Sequence, residues 1–177
     1  MRKCPICDYP AETNEEVLRR LDSDLLVRLS CDLAEHILDL TASPHAAARA
    51  LATARNWKGN ADILHQTARE AWQEQSICAR RVDVENMESY EAAQAAAAKC
   101  MAYAVETASL AELFRHDAIS RAAWVAKTAV EAANIHEGKW KAEEDWQQEH
   151  IRAVLCTCWM SHAVPPGERL RTSLLAH

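Results

Sequence analysis

From Val17 to about Met160 the apolar positions recur every three or four residues, and no stretch alternates with the two-residue period of a strand. Thr13-Asn14-Glu15-Glu16 is a capping box, in which the hydroxyl and the Glu16 carboxylate satisfy each other's free amides ahead of Val17, Leu18 and Leu21. A second start at Asp22 or Ser23 leads through Leu25, Leu26, Leu29, Leu33, Ile37 and Leu40. Ser43-Pro44 sets an N-cap before a first-turn proline and opens a helix over Ala47, Ala50, Leu51 and Ala54 to Trp57, closed by Gly59. Asn60 caps the next helix, which carries Ile63, Leu64, Ala68, Ala71, Trp72 and Ile77. Residues 82–88 are polar and ambiguous.

From Ser89 a very alanine-rich helix extends to about Glu106. Its Ala92–Ala98 stretch is small on every side, so neighbouring helices can approach closely from several directions, which suits a central helix. A break near Thr107–Ser109 or Arg115–Asp117 precedes the helix of Ile119, Ala122, Val125, Ala126 and Val130, and Gly138 ends it. The last helix runs from about Trp140 through Trp146, Ile151 and Leu155 until Pro165-Pro166-Gly167 stops it. The expected fold is all-α: a single compact bundle of about six alanine-rich helices over residues 13–162. A cysteine-containing, zinc-knuckle-like turn (1–12) precedes it and a tail (163–177) follows.

Composition sharpens this picture. Of 177 residues 34 are Ala and only one is Phe, so Leu, Ile, Val and Trp must supply most of the burial energy. Trp57, Trp72 and Trp124, set among apolar neighbours at helical spacing, are expected in the core. A net charge of −6 argues against a general nucleic-acid surface, and Arg80-Arg81 reads as a solvated helix end. No apolar run is long enough to span a membrane, and Met1-Arg2-Lys3-Cys4-Pro5 opens no secretory signal. Seven cysteines, an odd number, then point to a reducing cytoplasm rather than a disulfide framework.

Several blocks, in order, carry a family resemblance: Ala34-Glu35-His36-Ile37-Leu38, then Ala48 to Gly59 with its Ala54-Arg55-Asn56-Trp57-Lys58-Gly59 end, then Ala95 to Ala104. His116 to Trp124 and Trp146-Gln147-Gln148-Glu149 complete the set. Residues 31–150 thereby resemble the alanine-rich immunity proteins of bacterial polymorphic toxin systems, the fifth family in that numbered series. The resemblance implies a cytoplasmic helical protein that binds and neutralises a partner. The segment Cys4–Ala11 and the chain after Leu155 depart from the family pattern.

The strongest local motif lies in one of those departures. Cys4-Pro5-Ile6-Cys7 presents two thiols on a tight turn, a spacing that lets both reach one tetrahedral Zn(II). A redox reading would need a strand–helix context that Asp8-Tyr9-Pro10 does not supply. Cys156 and Cys158 are the expected second half-site, making a structural zinc that clips the N-terminal turn to the end of the last helix. Helical positions two apart point about 200° from each other, so the helix must end there, or His162 must replace Cys158. Cys31 and His36 form the competing pair. Cys31, Cys78 and Cys100 otherwise read as small buried hydrophobes.

Two further constellations carry weaker chemistry. His36, His65, His116, Asp117 and Asp145 can be cast as the metal ligands of an HD-type phosphohydrolase, against the reading of His116 or Asp117 as a helix cap. Trp140, Trp146 and Trp159 surround Glu143-Glu144-Asp145, read as a half-buried helix with a solvated charged face or as an aromatic–acidic docking surface. No nucleophile–base triad, phosphate loop or dinucleotide fingerprint is present. The expected function is therefore non-enzymatic: a cytoplasmic immunity-type inhibitor that binds a protein partner stoichiometrically, such as a basic toxin, with self-association through flat alanine faces. The alternatives are a metal-dependent phosphohydrolase and a zinc-bearing adaptor from a phage or mobile element.

Overall fold

The computed structural model describes residues 15–58, 60–82 and 89–155. Among them no strand occurs, and six helices of three turns or more pack together. A one-turn helix α1 (Glu15–Leu18) leads into α2 (Ser23–Glu35), and a 3₁₀ turn (Leu38–Leu40) leads into α3 (Pro44–Arg55). Then follow α4 (Ala61–Ala79), α5 (Tyr90–Leu110), α6 (Arg115–Glu137) and α7 (Trp140–Leu155). No described helix is long and apolar enough to cross a membrane.

The helix starts follow the local chemistry of the sequence. Asp22 accepts a hydrogen bond from Leu25 N, Asn60 from Asp62 N and Ile63 N, and Ser89 from Ala92 N, each satisfying amides that the first turn leaves free. Pro44 occupies the first turn of α3, as its spacing predicts, but Ser43 makes no side-chain cap bond. Gly138 adopts a left-handed φ of 65° and returns its N–H to Asn134 O at 2.8 Å, which ends α6. The capping box at Thr13 and the glycine at 59 lie outside the described residues.

The break between α5 and α6 falls at residues 111–114, between the two positions expected for it. Thr107 does not break α5, because its hydroxyl donates to Tyr103 O one turn back at 2.8 Å. Beyond the helix end, Arg115 fastens the corner. Its guanidinium donates to Ser23 Oγ at 3.2 Å and to the Arg19 and Leu21 carbonyls, while Ser23 Oγ donates to Ala111 O at 3.0 Å.

α5 is the central helix, touching α2, α3, α4 and α6. It is buried on most of its circumference through Ala93, Ala97, Cys100, Ala102, Ala104 and Val105. α6 packs against it through Ala118, Ala122, Ala126 and Ala129, and Cys100 Sγ comes within 3.4 Å of Val125 O, so the two backbones run close together. Bulk comes from elsewhere: Leu18, Leu21, Leu26, Leu29, Leu33 and Leu51 are almost wholly buried, each worth roughly 2 kcal/mol of burial. The fold therefore joins a leucine-rich half, α1 to α3, to an alanine-rich pair.

Candidate functional site

α7 joins this body through polar contacts. Its inward positions, spaced three and four apart, are Glu143, Trp146, Gln147, His150 and Ile151. Glu143 is 4% exposed and Gln147 2%, although Glu143 belongs to an acidic run expected on a solvated face. The Glu143 carboxylate accepts from His36 Nδ1 at 2.7 Å and from Gln147 Nε2 at 2.9 Å, and Gln147 Nε2 also donates to Ala126 O at 3.1 Å. A carboxylate can only accept, which fixes the His36 proton on Nδ1. Trp146 is not a free docking aromatic. Its ring lies flat between His36 (3.6 Å, 4°) and His150 (5.1 Å, 9°).

The seam continues into α2 and α3. His150 Nε2 lies 3.3 Å from Asp32 Oδ2, and Arg55 bridges Asp32 (2.9 Å) and Glu35 (2.5 Å). Two residues on, Trp57 Nε1 donates to Asp24 Oδ1 at 3.1 Å, and Lys58 Nζ meets Asp24 Oδ2 at 2.6 Å. Arg55, Trp57 and Lys58 thus pin the end of α3 to the acidic face of α2. In the sequence Glu143 figures only within an acidic run and Gln147 only within the Trp146–Glu149 block, and His150 not at all. The signal that could have found them is polar residues placed on the helical spacing normally held by apolar ones.

Asp32 makes this seam sensitive to acid. Burial alone would raise its carboxyl, but the hydrogen bonds from His150 and Arg55 outweigh burial and hold it below the ordinary 3.8. The unfolded chain therefore binds that proton first, so the contribution of Asp32 is complete above its unfolded value and drains away as pH falls through the lower folded one. Urea titrations carried from neutral pH through about pH 4 to about pH 2 should show wild type losing this part of its stability, while Asp32→Asn follows a flatter acid limb. Parallel limbs would remove Asp32 from the account.

The expected metal ligands fall in two groups. Cys4, Cys7, Cys156, Cys158 and His162 lie outside the described residues. The competing pair is used internally, since Cys31 is buried with Sγ 3.9 Å from Leu51 O and His36 is bonded to Glu143. The phosphohydrolase set is dispersed. His65 is exposed on α4, and Asp145 pairs with Lys141 at 3.0 Å on the outside of α7. His116 and Asp117 stand exposed in the first turn of α6, where neither caps the helix, since Phe114 holds the cap position without a side-chain bond. Among the described residues no three His, Cys, Asp or Glu side chains are placed to hold a metal ion.

A second feature faces outward. Trp124, expected in the core, is 37% exposed on α6. Lys127 Nζ lies 4.5 Å and Lys99 Nζ 5.9 Å from its ring centroid. Tyr103 stands 6.0 Å away, edge-on to Trp72 at 5.1 Å, with the Arg121 guanidinium 5.6 Å from the Tyr103 ring and its Nε 3.0 Å from Glu106 Oε2. Beside Trp124 a groove of about 430 Å³ opens between α6 and α7, walled by Ala123, Ala126, Lys127, Val130 and Gln147. His36, Glu143, Gln147, His150 and Asp32 are thus paired with one another inside the bundle, and an aromatic with uncommitted cations is offered outside. Compared with known proteins, the chain matches no family model, and neither a curated protein nor a solved structure matches it.

Proposed function

We propose that the chain is a non-enzymatic protein that acts by stoichiometric binding to another protein, as an immunity protein holds a toxin. The observation that carries this reading is the Trp124 face. A large aromatic stands exposed on α6, which is closely packed along α5, so binding would not have to fold the helix that carries it. Supporting it, the interior histidines and carboxylates satisfy one another, and the buried cysteines are poor nucleophiles. Burial pushes the Cys31 and Cys100 thiols up to about 12, and Cys78 upward as well. The test is co-expression with any toxic protein that a neighbouring gene encodes. Growth rescue together with an equimolar complex on size-exclusion chromatography is the expected result. Absence of rescue, or phosphate-ester hydrolysis with Mn(II) or Mg(II) that disappears in His116→Ala, overturns it.

A structural zinc held by Cys4, Cys7, Cys156 and Cys158 belongs to the same reading. Its support is topological. Arg115, at the start of α6, binds the Arg19 and Leu21 carbonyls and so holds the turn after α1 at that end. Glu143 meets His36 and His150 meets Asp32, so α7 runs antiparallel to α2, and its last five residues, about 7 Å, lead on toward the Ser23 end of α2, which Arg115 also binds. Residues 15 and 155 therefore emerge at one pole of the bundle. Four thiolates there would supply a cross-link with no open coordination position. Metal analysis should find one zinc per chain. Under a chelator, alkylation should reach the four terminal thiols quickly while Cys31 and Cys100 stay slow. A folded, zinc-free protein with those four thiols already reactive rules the clip out.

A further inference from the structure

Lys99 and Lys127 differ from the other described lysines in what they touch. Lys58 sits on Asp24 at 2.6 Å and Lys141 on Asp145 at 3.0 Å. By contrast, the only partner of Lys99 and of Lys127 among the described residues is the Trp124 ring, with no carboxylate within ion-pair reach of either ammonium. In a chain carrying 26 acidic residues and a net charge of −6, two adjacent unneutralised cations over one exposed indole are a local reversal of sign. An aromatic quadrupole attracts an ammonium from one side and leaves its other N–H donors free.

We propose that the α5–α6 face around Trp124 docks an acidic segment of a partner protein, with carboxylates on Lys99 and Lys127 and an apolar side chain in the groove beside Trp124. This rests on the reading of the chain as a stoichiometric binder, and it fixes the sign and shape of what is bound. Ala123, Trp124, Ala126 and Val130 give the groove an apolar side on which a side chain can pack, beside the polar Ser120, Lys127, Glu144 and Gln147. Glu144 also lines the groove and would repel a carboxylate placed in it, so the acidic groups belong on Lys99 and Lys127 and only the apolar side chain enters the groove; two free cations are too few to track a nucleic-acid backbone. The contact is therefore opposite in charge to what the whole chain would attract at long range.

The probes are a short fluorescent peptide of glutamates around one phenylalanine, its glutamine counterpart, and an oligothymidylate, each titrated against the full chain by anisotropy. The glutamate peptide should bind about tenfold more tightly than the glutamine one, and the Lys99→Gln/Lys127→Gln double variant should lose about tenfold, as two exposed charge pairs allow. Trp124→Ala should weaken both peptides alike, with circular dichroism and melting confirming that each variant is folded. No binding of the glutamate peptide, equal binding of the two peptides, or an unchanged double variant overturns the proposal; preference for the oligothymidylate overturns it in favour of a nucleic acid. A native partner complex that is indifferent to the double variant leaves stoichiometric binding intact and removes this face from it.

Discussion

Replacing Glu143 with alanine should lower the unfolding free energy by about 3 kcal/mol, a large effect for one exposed-looking glutamate in an acidic run. The carboxylate is buried and serves two donors, His36 Nδ1 and Gln147 Nε2. Alanine strands both. Gln147, itself 2% exposed, keeps only its bond to Ala126 O, while His36, whose side chain is 27% exposed, recovers part of its loss by hydration. The stacking of His36 on Trp146 loses its anchor at the same time. Because the Glu143 seam holds α7 to the body beside only Trp146, Ile151 and Val154, the damage should concentrate there. Amide exchange in residues 140–155 should accelerate before the rest of the bundle opens. Glu143→Gln keeps one acceptor and should cost about 1 kcal/mol. Urea unfolding of both variants is the measurement, and an alanine variant within about 0.5 kcal/mol of wild type would show that this seam does not hold α7.

That result bears on what could be read from residues alone. Helix starts at Asp22, Asn60 and Ser89, the stop at Gly138 and the central place of the alanine helix were all legible, because each depends on neighbours within a turn or on side-chain size. The roles of Glu143 and Trp124 were not. Glu143 opens the acidic run Glu143-Glu144-Asp145, and only the arrival of His36 from more than a hundred residues away makes it an interior group. Trp124 has alanines and a valine around it in sequence, yet the face it occupies is left open where α6 and α7 diverge into the groove. Arg55, Trp57 and Lys58 stood out as a motif, but their meaning lies in Asp24, Asp32 and Glu35 on another helix. Local pattern reports the helix and which side is apolar. It does not report which helix comes to meet that side.

Alanine's small size is what allows α5 and α6 to meet at all, and this gives the second large effect. Ala104→Leu should cost about 3 kcal/mol, and a double variant with Ala97→Leu should not fold. Both positions are 0% exposed on a helix that already touches α2, α3, α4 and α6, so the added isopropyl group has no open side to turn toward. The approach of Cys100 Sγ to Val125 O at 3.4 Å, one turn from Ala104, shows how little separates the two backbones. Leucine is nearly as good a helix former as alanine, so the loss would come from forced separation and not from propensity. Ala52→Leu, on the exposed side of α3, is the matched control and should stay within about 0.5 kcal/mol of wild type. In thermal unfolding the Ala104 variant should melt roughly 8 °C lower and the control should not move. If Ala104→Leu melts with wild type, a void lies between α5 and α6 and the close packing assigned to the alanine pair is wrong.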